Sequence, residues 1–179
     1  MNKKVLILHG WGGSDYPHWQ SWLAGEIAKN YGKVSFLQFS NLDFPNKDEW
    51  KDELIKELYD FQPDIVICHS VANILWFHLC NDLVSTQIER LYLVVPPSLE
   101  CDIPELESFY PCKVPTNLYA QKALLITSTN DPYMTQDESK KLQQELEIPM
   151  KVLENAGHIN ADSGFGEWQW MLEEVSKDY

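Results

Sequence analysis

Apolar residues fall into two alternating patterns along the chain. Short, nearly continuous runs occur at residues 5–8, 34–37, 65–68, 91–95, 124–127 and 152–153, several of them rich in valine and isoleucine. Each is too short for a helix and lacks the in–out alternation of a half-exposed strand, which predicts strands buried on both faces. Between the runs lie helical periods. Trp19, Leu23 and Ile27 recur every fourth residue; Trp50, Leu54, Leu58 and Phe61 recur at three or four; Trp168, Leu172 and Val175 form a last stripe. Asn46 with Glu49, and Thr135 with Glu138, read as helix starts, a polar cap followed three residues later by a carboxylate. Leu142 and Leu146 continue the second of these. Residues 71–80 are apolar almost all round and predict a helix covered by other layers.

Strand–helix alternation of this kind predicts a parallel sheet with helices on both faces. Residues 96–115 break the rhythm: they hold five of the ten prolines and little periodicity. A connection this long is expected to be either a lid that shapes a pocket or a surface loop packed on the sheet edge. The distance from Leu99, Ile103, Leu106, Phe109 and Tyr110 to the site separates the two. The expected organisation is one α/β domain over residues 1–179, with 96–119 as the lid segment.

Composition narrows the function classes. Fourteen Lys and Arg against 27 Asp and Glu leave a net charge of −13, a field that repels phosphate backbones and anionic membrane faces, so no nucleic-acid or membrane role is expected. The 179 residues suffice for a hydrophobic core without staples. The first apolar run ends at His9, too soon for a signal-peptide core, and no run reaches ~18 apolar residues, so a cytoplasmic protein is expected. Cys101 and Cys112 can bridge in an oxidising compartment, but free thiols are the expectation for all four cysteines. Neither HExxH nor a zinc-spaced Cys/His cluster occurs, so no metal is expected.

Ser70 follows the third run by one residue and opens the buried helix. A strand-to-helix turn there exposes a serine hydroxyl above the sheet edge, and needs small residues two before and two after, here Cys68 and Ala72. Taken alone, Ser70 reads equally well as a helix cap. Later residues shift that balance, because a nucleophilic serine needs a base and the base an orienting carboxylate. Asp131 lies just past the fifth run and His158 just past the sixth. Each has a bland alternative, an Asx-turn before Pro132 and a solvated loop histidine, yet both fall at strand ends in the order Ser, Asp, His. The turn His9-Gly10-Trp11-Gly12-Gly13-Ser14 after the first run can aim backbone amides at an oxyanion. The Trp11 amide, paired with that of Val71, is the first choice. A dinucleotide turn is disfavoured, since the last glycine of that spacing falls on Asp15. His9 is expected to fix the glycine turn by hydrogen bonds, and His78 to be a core histidine. The side chains of Trp11, Trp19, Trp22 and Tyr133 are given no substrate role, His69 is the residue of the elbow before Ser70, and His18 begins the first helix.

Together these residues resemble the small single-domain serine hydrolases of the YdeN type, which include the vertebrate retinoblastoma-binding hydrolase. The likeness spans nearly the whole chain. It rests on residues 9–13, on Trp19-Gln20-Ser21-Trp22-Leu23, on His69-Ser70, on Asp131-Pro132, and on Gly157-His158-Ile159-Asn160 running into Ser163-Gly164-Phe165-Gly166-Glu167-Trp168. The resemblance implies a compact α/β-hydrolase fold lacking the first two strands of larger members, with Ser70, Asp131 and His158 as a triad acting on esters or amides. The expected sheet is six-stranded and all parallel, in the order 2-1-3-4-5-6. No cofactor is expected, and the acidic surface favours small neutral or hydrophobic esters, with amides and thioesters as further options. Family members usually carry glycine where this chain has Cys68, a departure that bears on elbow geometry and rate. It is the only sequence support for the rival class, a weak or inactive hydrolase fold that binds a protein partner. An L-x-C-x-E partner motif is absent, because Ile103 follows Leu99-Glu100-Cys101-Asp102.

Overall fold

The computed structural model describes residues 3–30, 32–82 and 87–177. In chain order the elements are β1 (Lys4–Leu8), α1 (Trp19–Asn30), β2 (Lys33–Leu37), α2 (Lys47–Phe61), β3 (Ile65–His69), α3 (Val71–Asn81), β4 (Ile88–Val94), β5 (Ala120–Ser128), α4 (Gln136–Leu146), β6 (Met150–Leu153) and α5 (Gln169–Ser176), with 3₁₀ turns at Pro104–Phe109 and Ala161–Ser163. The six strands form one sheet in the order β2-β1-β3-β4-β5-β6. Every neighbouring pair is parallel.

Burial on both faces explains the continuous runs. Along β1, Val5 and Ile7 join the core under α1 and α5, while Leu6 and Leu8 join the core under α2 and α3. Along β3, Ile65 and Ile67 face one core, Val66 and Cys68 the other. Each strand extends beyond its apolar run, and β4 and β5 begin furthest ahead of theirs. Strand β4 begins at Ile88 and β5 at Ala120, because ladder bonds run through the backbone and tolerate polar side chains such as Arg90. That guanidinium then donates to the Glu174 and Val175 carbonyls at the end of α5. Both predicted helix starts form. Thr135 and Glu138 make a reciprocal capping box. Asn46 accepts from the Asp48 and Glu49 amides, but the Glu49 carboxylate takes the Asn41 side-chain amide.

Register sets where the site can be. Leu8 aligns with Leu37 and with Cys68, His69 with Val94, Val94 with Ile126, and Ser128 with Leu153. The carboxyl ends of all six strands therefore lie along one edge. Strand order reverses between β1 and β3: α1 leaves β1 towards one face and α3 leaves β3 towards the other, opening a crevice at that edge.

The segment after β4 is docked rather than loose. Its 3₁₀ turn sends Phe109, fully buried, edge-on against Trp50 at 5.5 Å. His78 donates to the Phe109 carbonyl (2.8 Å), Trp76 to the Leu118 carbonyl (3.2 Å) and Asn81 to the Lys113 carbonyl (2.9 Å). The Ser108 hydroxyl accepts from the Lys47 amide at 3.0 Å. Phe109→Ala leaves a cavity beside Trp50 and is expected to lower stability by about 3–5 kcal/mol, read as a lower urea midpoint. Phe109 is not among the residues that line the cavity at Ser70. The variant, where folded, is therefore expected to keep the wild-type ratio of rates on short and long acyl esters.

Candidate active site

Ser70 sits between β3 and α3 with φ 55° and ψ −129°. An L-residue in that region carries strain of roughly 1–3 kcal/mol unless its surroundings enforce it. Here they do. The Ser70 amide donates to the Val94 carbonyl at 3.0 Å. The buried Asn73 amide donates to the Ser70 carbonyl (2.7 Å) and the Val94 carbonyl (2.9 Å). Ser70 occupies the cap position of α3 yet its hydroxyl makes no capping bond, so the helix-cap reading does not hold. The two flanking small residues, Cys68 and Ala72, are fully buried. Burial pushes the Cys68 thiol well above its ordinary value, so the residue is a neutral packing group beneath the turn.

The hydroxyl instead meets an imidazole. Ser70 Oγ donates to His158 Nε2 at 2.8 Å, and His158 Nδ1 donates to Asp131 Oδ1 at 3.0 Å. The second Asp131 oxygen lies 3.2 Å away. Both side chains are buried, so neither group swings in water. Asp131 also accepts from the Tyr133 amide at 3.0 Å: the Asx-turn exists and aims the carboxylate. His158 is 7 % exposed, which rules out a solvated loop histidine.

The structure also names residues the sequence did not single out. Asn130 Oδ1 accepts from the Gly157 amide (2.7 Å) and from the Ser128 hydroxyl (2.9 Å), joining the loop of Asp131 to that of His158. The Ser163 hydroxyl accepts from the His158 amide and donates to Asn160. Trp19 Nε1 donates to the Ile159 carbonyl at 2.7 Å and packs edge-on against Trp168. His69 Nε2 donates to the His158 carbonyl at 3.1 Å. Three sequence blocks far apart in the chain thus hold one loop. For Trp19, His69, Asn160, Ser163 and Trp168 the signal in the sequence was their place in the family-like blocks; Asn130 lies outside those blocks and carried none.

Gly10, at the end of β1, is required by contact: a Cβ there would stand 2.6 Å from Ser70 Cβ and 3.2 Å from its hydroxyl. His9 fixes this turn as expected. Its Nδ1 donates to the Gly10 carbonyl at 2.7 Å and its Nε2 accepts from the Phe39 amide at 3.0 Å. The Gly12 and Gly13 amides donate to the Leu42 and Gly10 carbonyls. A cavity of about 280 Å³ opens over Ser70 and His158, walled in part by Trp11, His18, His69 and Tyr133. From the proline-rich segment, Pro97, Ile103 and Leu106 reach it. Among the described residues no three metal-ligating side chains cluster, and no helix is long and apolar enough to cross a membrane. The four cysteines are free thiols.

The serine hydrolase family profile matches residues 5–177. The chain belongs to the serine hydrolase family. It is 24 % identical over 177 residues to the YdeN protein of Bacillus subtilis strain 168, covering 92 % of this chain and 90 % of that one. The crystal structure of the B. subtilis ydeN product superposes with a TM-score of 0.81 at 20 % identity, over 97 % of both chains. A YdeN-like protein of Pectobacterium atrosepticum gives 0.75 at 23 % identity, over 98 % and 89 %. The carboxylesterase CesB of B. subtilis gives 0.61 at 11 % identity, over 97 % and 82 %. At these identities the superpositions establish the shared α/β-hydrolase fold, and the family match makes this serine hydrolase an enzyme of the hydrolase class.

Two variants test how the site is held. Gly10→Ala drives a methyl group into Ser70. A displacement of ~1 Å costs about 10²-fold in rate, so kcat is expected to fall by at least that factor, measured on a chromogenic ester with folding checked by circular dichroism. Burial also lowers His18 from its ordinary 6.5 to about 4, and lowers His9 and His69. The unfolded chain therefore takes up these protons first as pH falls. The neutral imidazoles contribute fully above pH 6.5 and lose that contribution between about 6.5 and 4. The urea midpoint is expected to drop across that window, and to drop less in His18→Asn.

Proposed function

We propose that the enzyme is a carboxylesterase-like serine hydrolase working through Ser70, His158, Asp131 and an acyl-enzyme. The observation that carries the reading is the unbroken row from the Ser70 hydroxyl through His158 to Asp131, at 2.8 and 3.0 Å. Ser70 Oγ attacks the ester carbonyl carbon while His158 Nε2 takes its proton. The carbonyl–alkoxy bond then breaks, and His158 returns the proton to the departing alcohol. Water repeats the sequence on the acyl-enzyme and releases the acid. Asp131 keeps the Nδ1–H tautomer and stabilises the imidazolium.

The oxyanion is assigned to the Trp11 and Val71 amides. The Gly12 and Gly13 amides are already committed to carbonyls, and the Trp11 N–H makes no such bond among the described residues. Val71 opens α3, where first-turn N–H groups have no intrahelical acceptor. No metal or cofactor enters these steps. The cavity of about 280 Å³ is near the lower end of the roughly 300–1,000 Å³ of ligand pockets, which supports a small substrate. The net charge of −13 disfavours anionic ones, leaving neutral or hydrophobic esters, with amides and thioesters sharing the chemistry. Residues 96–119 act in this reading as a docked lid, with Ile103 and Leu106 limiting the acyl chain. Cys68 offers the binding-module alternative little: the thiol is buried, and Ser70 beyond it still reaches His158.

Ser70→Ala and His158→Ala are expected to lose on the order of 10⁴-fold or more in kcat, and Asp131→Asn somewhat less. A fluorophosphonate probe is expected to label wild type at Ser70 and to leave Ser70→Ala unlabelled. Folded wild-type protein that takes no label points to the protein-binding alternative.

A further inference from the structure

The charge around the cavity over Ser70 is one-sided. Asp15, on the turn after β1, and Asp162, on the 3₁₀ turn after His158, both line it, and no lysine or arginine does. Both carboxylates are exposed, and among the described residues neither stands in an ion pair. The His18 and His69 imidazoles do not offset them: burial lowers His18 to about 4 and His69 well below its ordinary value, so both are neutral near pH 7. A concave site lined by one sign of charge focuses its field on whatever enters.

Three other groups of the same lining suit a cation. Trp11 is 38 % exposed and Tyr133 42 %, although each is anchored, Trp11 Nε1 to the Asp43 carbonyl and the Tyr133 ring edge-on to His158 at 4.6 Å. A fixed, exposed aromatic face beside a carboxylate is a favourable setting for an alkylammonium group. Ser14, between the glycine turn and Asp15, is 3 % exposed, and its hydroxyl has no hydrogen-bond partner. It belongs to the lining of the same cavity, so its oxygen is an unpartnered acceptor within that wall.

We propose that Asp15 and Asp162, with Trp11, Tyr133 and Ser14, form a cation subsite that selects esters carrying an alkylammonium group over their neutral isosteres. This rests on the esterase reading and departs from its neutral substrate class, because the same field that disfavours anionic esters favours cationic ones over neutral isosteres. The position of the cation within the substrate is set by reach: it must sit beside an ester whose carbonyl lies against Ser70.

Acetylcholine and 3,3-dimethylbutyl acetate share shape and ester and differ in charge, so their kcat/KM ratio isolates the subsite. The ratio is expected to favour acetylcholine by about tenfold at low ionic strength and to fall as salt is raised. It is expected to approach one in Asp15→Asn/Asp162→Asn. Asp52→Asn/Glu173→Gln, which removes two exposed carboxylates outside the cavity, is expected to keep the wild-type ratio. A wild-type ratio of one or less overturns the proposal. So does a ratio that survives in the cavity variant or does not change with salt, or one that the remote variant lowers equally. Should the double variant fail to fold, Asp162→Asn and the salt dependence of wild type decide. Calorimetric titration of Ser70→Ala with choline and with 3,3-dimethylbutanol reads the same preference without turnover, and decides if neither acetate is cleaved. Equal binding of the two alcohols overturns the cation subsite, whereas ester turnover surviving in Ser70→Ala overturns the serine mechanism, so the two failures are distinguishable.

Discussion

A serine held at φ 55° and ψ −129° keeps its hydroxyl clear of the helix it precedes, and everything else at this site depends on that conformation being enforced. Three features enforce it. The Val94 carbonyl on β4 takes the Ser70 and Asn73 donors. The buried Cys68 and Ala72 allow β3 and α3 to pass closely. Gly10, on the turn after β1, leaves the space that a Cβ would occupy 2.6 Å from Ser70. The last is a contact between the turns that follow β1 and β3, the two strands where the sheet order reverses, so the topology and the elbow are one constraint. The Cys68 thiol is taken up in the core below the sheet edge without displacing the hydroxyl above it.

The imidazole of His158 is held by different means. His158 lies on a loop, and loops do not fix a ring to a few tenths of an ångström unless their backbone is tied down. Here the ties come from Asn130, Ser163, Trp19 and His69, each meeting the backbone of residues 157–159. His69 can serve only as a neutral group, since it is buried and lies beside His18 and His158, with ring centroids at 5.0 and 5.2 Å. Keeping His18 and His69 uncharged beside His158 links the site to the acid limb of stability. The same packing that positions His158 makes protonation of its neighbours unfavourable.

The segment after β4 divides its labour within a few residues. Phe109 is spent on the core against Trp50, and Ile103 and Leu106 face the cavity. Anchoring one end of a 3₁₀ turn in the core gives the other end a fixed place over the serine, without a hinge.

Periodicity in the sequence was enough for the six strands, the helices, the parallel class and the placing of Ser70, Asp131 and His158 at strand carboxyl ends, because burial on one or both faces repeats at the local period of each element. Gly10 was legible as part of a glycine turn, and Thr135 with Glu138 as a cap, since turns and caps are written in a few adjacent residues. The sequence did not reveal that Asn130 and Ser163 hold the histidine loop, that His18 and His69 are neutral neighbours of the site, that Phe109 belongs to the core and Ile103 to the cavity, or that Asp15 and Asp162 face the same space. Those facts relate residues far apart in the chain. They are fixed by which strands become neighbours and in what register, and that is decided by the packing of two cores against one sheet, for which no local pattern of residues carries a sign.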